Sequence, residues 1–248
     1  MASFNSIAQS LIDALQLSQP PVAIAFTDTV PKGVKTFAGA VPAGCRFWQE
    51  ATAQVFANMP ADHEFCSIGL YTHNLEIGPA AQTNLQDALK VFSDLGYVRE
   101  QDMPLIPVLN RQARIAVYGP LASMPLPPDV VLLLVRPDQA LLISEASQQL
   151  ENGWAPIMGR PACGVVPQAF NTGRTALSLG CCGARAYLDF LAPDVALYAV
   201  PGPQLEAFAE RVAALAKANS VLTMFHKLRR EQVQAGERPT VRQSLASI

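Results

Sequence analysis

The amino-acid sequence predicts an α/β (or α+β) fold of two related halves, with a mixed sheet, flanking helices and an internal duplication about a pseudo-twofold. Three observations lead there. Segments with helical spacing of apolar residues alternate with short apolar runs of strand length. A Pro-Pro pair stands just before such a run twice, at Pro20-Pro21 and at Pro127-Pro128. Each of these runs is followed by the same succession of landmarks, two cysteines among them.

Taken in order, Phe4 to Leu17 carries Ile7, Ala8, Leu11, Ile12 and Leu15 at helical spacing, and Gln19, Pro20 and Pro21 end it. Val22 to Phe26 follows as a strand. After a turn-rich stretch, a second helix is expected to begin near Cys45, with Phe47, Ala51, Val55 and Phe56 on one face before Pro60. Phe65 to Tyr71 is apolar and places Cys66 near a strand end. A helix over Asn84 to Leu95 is closed by Gly96, and Ile115 to Tyr118 reads as a strand.

In the second half, Val130 to Val135 is continuously apolar, as a strand buried on both faces requires. Asp138 begins a helix that reaches about Leu150. Gly159, Arg160 and Pro161 introduce another, with Cys163 in its first turn. Ala176 to Leu179 is expected as a strand, Gly180 to Gly183 as a tight turn holding Cys181 and Cys182, and Val195 to Val200 as a strand. A long amphipathic helix after Pro203 presents Leu205, Phe208, Val212 and Leu215 on one side, and a shorter helix covers Val221 to Arg230. The tail from Glu231 to Ile248 is polar and expected to be loosely held.

The duplication pairs Cys45 with Cys163 at helix starts and Cys66 with Cys181 at strand ends, over separations of 21 and 18 positions. It divides the chain into a first half-domain, residues 1–125, a second, 126–230, and the tail, 231–248. Two such halves packed about a pseudo-twofold bring four cysteines to their interface.

Composition narrows the function classes. Half of the 248 residues are hydrophobic, 15% are charged and the formal charge is −2, which excludes disorder. A pI near 5.9 and scattered basic residues speak against nucleic acid. The longest aliphatic run is six residues, far short of a membrane span of roughly 20, and the N-terminus lacks the basic region of a secretory signal. The expectation is a cytoplasmic protein with a small-molecule ligand or a redox partner, and with self-association as a further option. No nucleotide loop, hydrolase elbow or zinc-protease motif is present, and no catalytic residue stands out.

Five cysteines in a reducing compartment read as ligands, thiols or core residues rather than as disulfides. Four thiolates satisfy a tetrahedral zinc ion or an iron–sulfur cubane. Cys181 and Cys182 are adjacent, so only one of them joins a shared site, and the repeat selects Cys181. Arg160 lies three residues before Cys163 and Arg185 four after Cys181, placing two guanidinium groups where they could lower thiol pKa values or grip an anion. His63 and His73 flank Cys66 and are read as loop residues, and His226 lies on a basic C-terminal helix.

Pro-Pro-Val-Ala-Ile-Ala-Phe26, Cys45-Arg-Phe-Trp48, Cys66-Ser-Ile-Gly-Leu-Tyr71, Pro-Asp129-Val-Val-Leu, Gly159-Arg-Pro-Ala-Cys163 and Ser178-Leu-Gly-Cys-Cys-Gly-Ala-Arg185 together make the chain resemble the "domain of unknown function 169" family of bacteria and archaea. The resemblance covers about Pro20 to Arg230. It implies that Cys45, Cys66, Cys163 and Cys181 occupy motif positions and that Cys182 falls at a variable one. Ser67 departs from the proline usual after the second cysteine.

The leading expectation is a four-iron cluster held by Cys45, Cys66, Cys163 and Cys181, with Arg160 and Arg185 tuning it or holding an anion and with Trp48 and Tyr71 shielding it. Zinc on the same ligands, a metal-free thiol redox enzyme, and a binding module with merely buried cysteines are the alternatives.

Overall fold

The computed structural model describes residues 2–248 except 152, 154, 156, 159 and 160. Helix α1 (Phe4–Leu15) starts at Ser3, whose hydroxyl accepts the Ser6 N–H, and buries Ile7, Ala8, Leu11 and Leu15 along one stripe. Strand β1 (Val22–Thr27) follows the prolines, and the turn-rich stretch contributes the short strand β2 (Lys35–Thr36). The helix expected through Val55 is a short one, α2 (Arg46–Glu50), and Phe56, expected on its face, opens strand β3 (Phe56–Asn58). The segment after Cys66 forms helix α3 (Ser67–Thr72), not a strand. Helix α4 (Pro79–Asp94) begins earlier than expected, with Pro79 in its first turn, and Gly96 at φ +68° follows its end.

Strands β4 (Ile115–Pro120) and β5 (Val130–Val135) match the apolar runs, and β5 is buried at every position. Helix α5 (Pro137–Glu151) and strand β6 (Ile157–Met158) lead to a 3₁₀ turn, Ala162–Gly164, and helix α6 (Val165–Thr172). After strand β7 (Ala176–Ser178), the expected tight turn at Cys182 is instead helix α7 (Cys182–Tyr187). Strand β8 (Ala196–Pro201) is followed by one helix, α8 (Leu205–Gln234), where two were expected. The tail is structured: helix α9 (Val241–Leu245) opens with a capping box at Thr240, and the Ser244 hydroxyl donates to Gln232 at 2.8 Å.

The strands form one mixed sheet in the order β2-β3-β4-β1-β5-β8-β7-β6. Outward from the antiparallel β1–β5 pair, both arms show the same succession, two antiparallel pairings and then a parallel one. The 125/126 boundary falls between β4 and β5, and the sheet runs across it. Period-two alternation separates the faces. Ala23, Ala25, Val131, Leu133, Tyr198 and Val200 turn toward α1, α5 and α8. Val22, Ile24, Phe26, Leu132, Tyr118 and Ala199 turn toward the other face, where the cysteine-bearing segments sit. Among the described residues, no helix is long and apolar enough to cross a membrane.

Asp129 joins the two central strands. Its carboxylate accepts the Phe26 N–H at 2.7 Å and an Arg111 N–H at 3.0 Å, while Arg111 also donates to the Phe26 carbonyl. Replacing Asp129 with Ala leaves the Phe26 donor unmatched, and a loss of about 1–3 kcal/mol is expected, seen as a lower urea midpoint. An unchanged midpoint would contradict this role.

Candidate functional site

All four ligand candidates lie at the N-terminal edges of helical turns on one face of the sheet. Cys45 immediately precedes α2, Cys66 precedes α3, Cys181 precedes α7, and Cys163 lies in the turn that leads into α6. Chain connectivity puts two of them on each arm of the sheet, and tertiary contacts draw the arms together. Arg46 and Gln49, on α2, donate to the Asp189 carboxylate at 3.0 and 2.7 Å, and Arg46 also donates to the Tyr187 carbonyl at the end of α7. These bonds, with Gln49 first, hold Asp189 below the usual carboxylate range. On the other side, Asn171 of α6 accepts the Asn110 N–H and donates to the Val108 carbonyl, while the Leu109 N–H reaches the Thr72 carbonyl on α3.

The result is a cavity of about 740 Å³ with Cys45, Cys66, Cys163 and Cys181 in its wall. Every pair among the four is close enough for their charges to interact. Cys45, Cys66 and Cys163 are buried, and burial is the main reason their thiols resist ionisation; Cys45 is pushed up to about 12. Donors partly oppose this. The Thr72 hydroxyl donates to Cys163 Sγ at 3.3 Å, the Ala184 N–H to Cys181 Sγ at 3.5 Å, and the Gly44 and Gly69 N–H groups to Cys66. The two glycines are sterically required: a Cβ at Gly44 or Gly69 would stand 2.9 or 3.0 Å from His63 Nδ1 and 3.5 or 3.3 Å from Cys66 Sγ.

Among the described residues, no group of three or more His, Cys, Asp or Glu side chains is placed to hold a metal ion. Cys182 is exposed at the cavity wall, and its N–H donates to the Tyr97 hydroxyl at 3.3 Å. Arg185 is directed elsewhere, donating to the carbonyls of Leu179, Ala192 and Val195 and so fastening the loops around α7. Arg160 lies outside the described residues. Trp48 is in the core and Tyr71 is half-buried, but neither lines the cavity; Phe65, Phe92, Tyr97 and Tyr187 do.

The histidines depart most from expectation. His63 and His73, read as loop residues, are buried, with ring centroids 6.4 Å apart. Both nitrogens of His63 and Nε2 of His73 have no hydrogen-bond partner among the described residues, and His73 Nδ1 lies 3.5 Å from the Tyr118 hydroxyl. Burial lowers their pKa values to about 3 and about 4, with His73 adding to the effect on His63. Tyr118, which sequence reasoning did not select, resists ionisation through burial and the neighbouring Cys163, Cys66 and Cys45. Its place at the strand position opposite Ile24 was visible only as apolar alternation. His226 is remote from this group, on α8 against the Phe225 ring.

The family model described as "Uncharacterised ArCR", DUF169, matches residues 10–211. The chain belongs to the DUF169 family. The DUF169 match takes in the whole sheet, all five cysteines and the start of α8, and ends before α9. Neither a curated protein nor a solved structure matches the chain.

Two predictions follow from the geometry of this DUF169 protein. In the reduced, metal-free state, iodoacetamide at pH 8 should alkylate Cys182 at least tenfold faster than Cys45, Cys66 or Cys163, and Cys182→Ser should remove the fast phase; rapid labelling of the buried three would contradict the burial. The second concerns pH. A histidine held neutral in the fold has a folded pKa below its unfolded value of about 6.5. As pH falls through that value the unfolded chain takes up the proton first, so stability is lost from about pH 6.5 toward the folded pKa of about 4 for His73. Urea unfolding of His73→Gln should therefore lose about 2 kcal/mol less than the parent between pH 7 and pH 5, whereas equal losses would contradict a neutral buried His73.

Proposed function

We propose that this protein holds an iron–sulfur cluster of the four-iron type through Cys45, Cys66, Cys163 and Cys181, and that its role is redox, sensing or a cluster-dependent step on a small molecule. The observation that carries the reading is the convergence of four thiols, from four separated segments, on one cavity.

The chemistry of the donor set fits such a group. Three buried sulfurs and the half-buried Cys181 share one wall with no Lys or Arg among the described lining residues, so ionising them together needs positive charge from a ligand. The iron of a cluster supplies that charge. Bound there, the cluster would provide one-electron transfer or Lewis acidity, and its potential would follow the burial and the hydrogen bonds to sulfur. The chain's own contribution is to hold the sulfurs apart at rigid helix edges and direct donors from Thr72, Ala184, Gly44 and Gly69 at them.

Tetrahedral zinc needs all four ligands within about 2.3 Å of one point. A cubane gives each thiolate its own iron at a separate corner, so it suits a wider set. The metal-free thiol enzyme is disfavoured at Cys45, Cys66 and Cys163, because burial keeps these thiols protonated while the reactive form is the thiolate. The internal duplication, with Cys45 and Cys66 as counterparts of Cys163 and Cys181, belongs to the same reading, and the like succession of strand pairings in the two arms supports it. A cytoplasmic location suits an oxygen-sensitive group of this kind.

Anaerobic purification, followed by reconstitution with iron and sulfide, should yield a brown protein with about four iron and four acid-labile sulfide per chain. Alanine at any of the four cysteines should lower the iron content severalfold, and Cys182→Ser should leave it unchanged. Colourless, iron-free protein after reconstitution, or stoichiometric zinc in its place, would overturn the proposal.

A further inference from the structure

Helix α8 outruns the sheet that supports it. Its first turns bury Leu205, Phe208, Ala209 and Val212 on the face where α1 and α5 pack. From Lys217 to Met224, eight consecutive residues are then exposed, more than two turns, so the helix stands clear of the sheet over that stretch. Phe225 is covered again, and α9 returns alongside with Ser244 bonded to Gln232. The result is a helical hairpin, residues 217–248, that exposes Val221, Leu222, Met224, Val233, Val241 and Leu245. It lies past the residues matched by the DUF169 model.

Charge divides the chain at the same place. The hairpin holds six basic and two acidic residues, whereas residues 1–216 hold twelve basic and eighteen acidic. Two such hairpins repel one another, and each is attracted to the acidic remainder. A surface of matching character is built by α4 and the 3₁₀ turn Glu100–Leu105. Leu95 and Leu105 are 75% and 74% exposed there and Val91 is exposed too. Around them stand Asp87, Asp94, Glu100 and Asp102 against Lys90 and Arg99, a net acidic balance. Within one chain the sheet separates the two surfaces: α8 packs on the face of α1 and α5, while α4 packs beside α3 and turns Ala81 to the cysteine face.

We propose that this chain forms a homodimer in which the α8–α9 hairpin of each copy lies on the α4 surface of the other. The exchange is reciprocal, so a twofold closes it. Val221, Leu222 and Met224 meet Val91, Leu95 and Leu105, which supplies apolar burial, and the opposite charges select this pairing over hairpin on hairpin. A projecting helix gains from such cover, since most helical stability in water comes from packing an apolar face. Helix α4 also walls the cysteine cavity, so the docked hairpin braces that wall; the association does not require a cluster.

Sedimentation velocity of the full chain over a concentration series should show a monomer–dimer equilibrium that weakens severalfold from low to high salt. Leu222→Glu on the hairpin and Leu95→Lys on α4 are surface changes that should each weaken dimerisation at least tenfold and leave the circular dichroism unchanged. Mixed in equal amounts, the two variants should dimerise again, because the heterodimer sets the two introduced charges, opposite in sign, against each other at one contact and keeps the parent residues at the other. Met224→Glu with Leu105→Lys serves if either first variant fails to fold. A monomer at every concentration, whether or not it binds vesicles of anionic lipid, would overturn the proposal. So would a dimer indifferent to salt, a dimer that Leu95→Lys leaves intact, or a mixture that stays monomeric.

Discussion

Burial of thiols that would repel one another once ionised is the constraint on which the cysteine-lined cavity depends. Each of Cys45, Cys66, Cys163 and Cys181 is close enough to the others to disfavour their ionisation, and the cavity lining supplies hydrogen-bond donors but, among the described residues, no cationic side chain. Left alone, Cys45, Cys66 and Cys163 stay protonated. In the proposed reading, an iron-containing group would supply the positive charge that lets these thiols ionise together. The rest of the fold keeps the sulfurs facing one another. The continuous sheet fixes the two arms, the Arg46 and Gln49 bonds to Asp189 close one side, and the contacts from Asn171 and Leu109 close the other.

Much of the frame was legible in the sequence where a segment is buried on one stripe or on both faces. Val130 to Val135 has no polar position and became the fully buried β5; Ile7, Leu11 and Leu15 mark α1. Legibility failed where an apolar run is too short to show a period. Phe65 to Tyr71 can be read as a strand, yet Ser67 to Thr72 is helical, its backbone N–H groups at Gly69 and Leu70 donating to the Cys66 carbonyl. The helix after Cys45 ends early since Phe56 pairs with Tyr118 across β3 and β4. The tail looked loose because its anchor, Ser244 on Gln232, is a polar contact with no periodic signature.

The candidate site divided in the same way. The four cysteines were selected on the like order of landmarks in the two halves, and all four line one cavity. The histidines could not, since nothing local in Asp62-His63-Glu64 announces a buried ring; His63 is covered by Gly44 and Gly69, brought in by separate segments. Arg185 looked like an anion ligand by spacing alone, but three nearby carbonyls engage its guanidinium. Tyr118 read as core, and only the fold sets its hydroxyl beside His73.

The central claim is spatial: one iron-containing group sits between two cysteines of one arm and two of the other. Anomalous diffraction from anaerobic crystals of the reconstituted protein, recorded on both sides of the iron absorption edge, tests it most directly. The account predicts a single iron-specific peak inside the cavity, bounded by the sulfur atoms of Cys45, Cys66, Cys163 and Cys181. Iron signal on other residues, or none in the cavity of protein exposed to iron and sulfide, would contradict it.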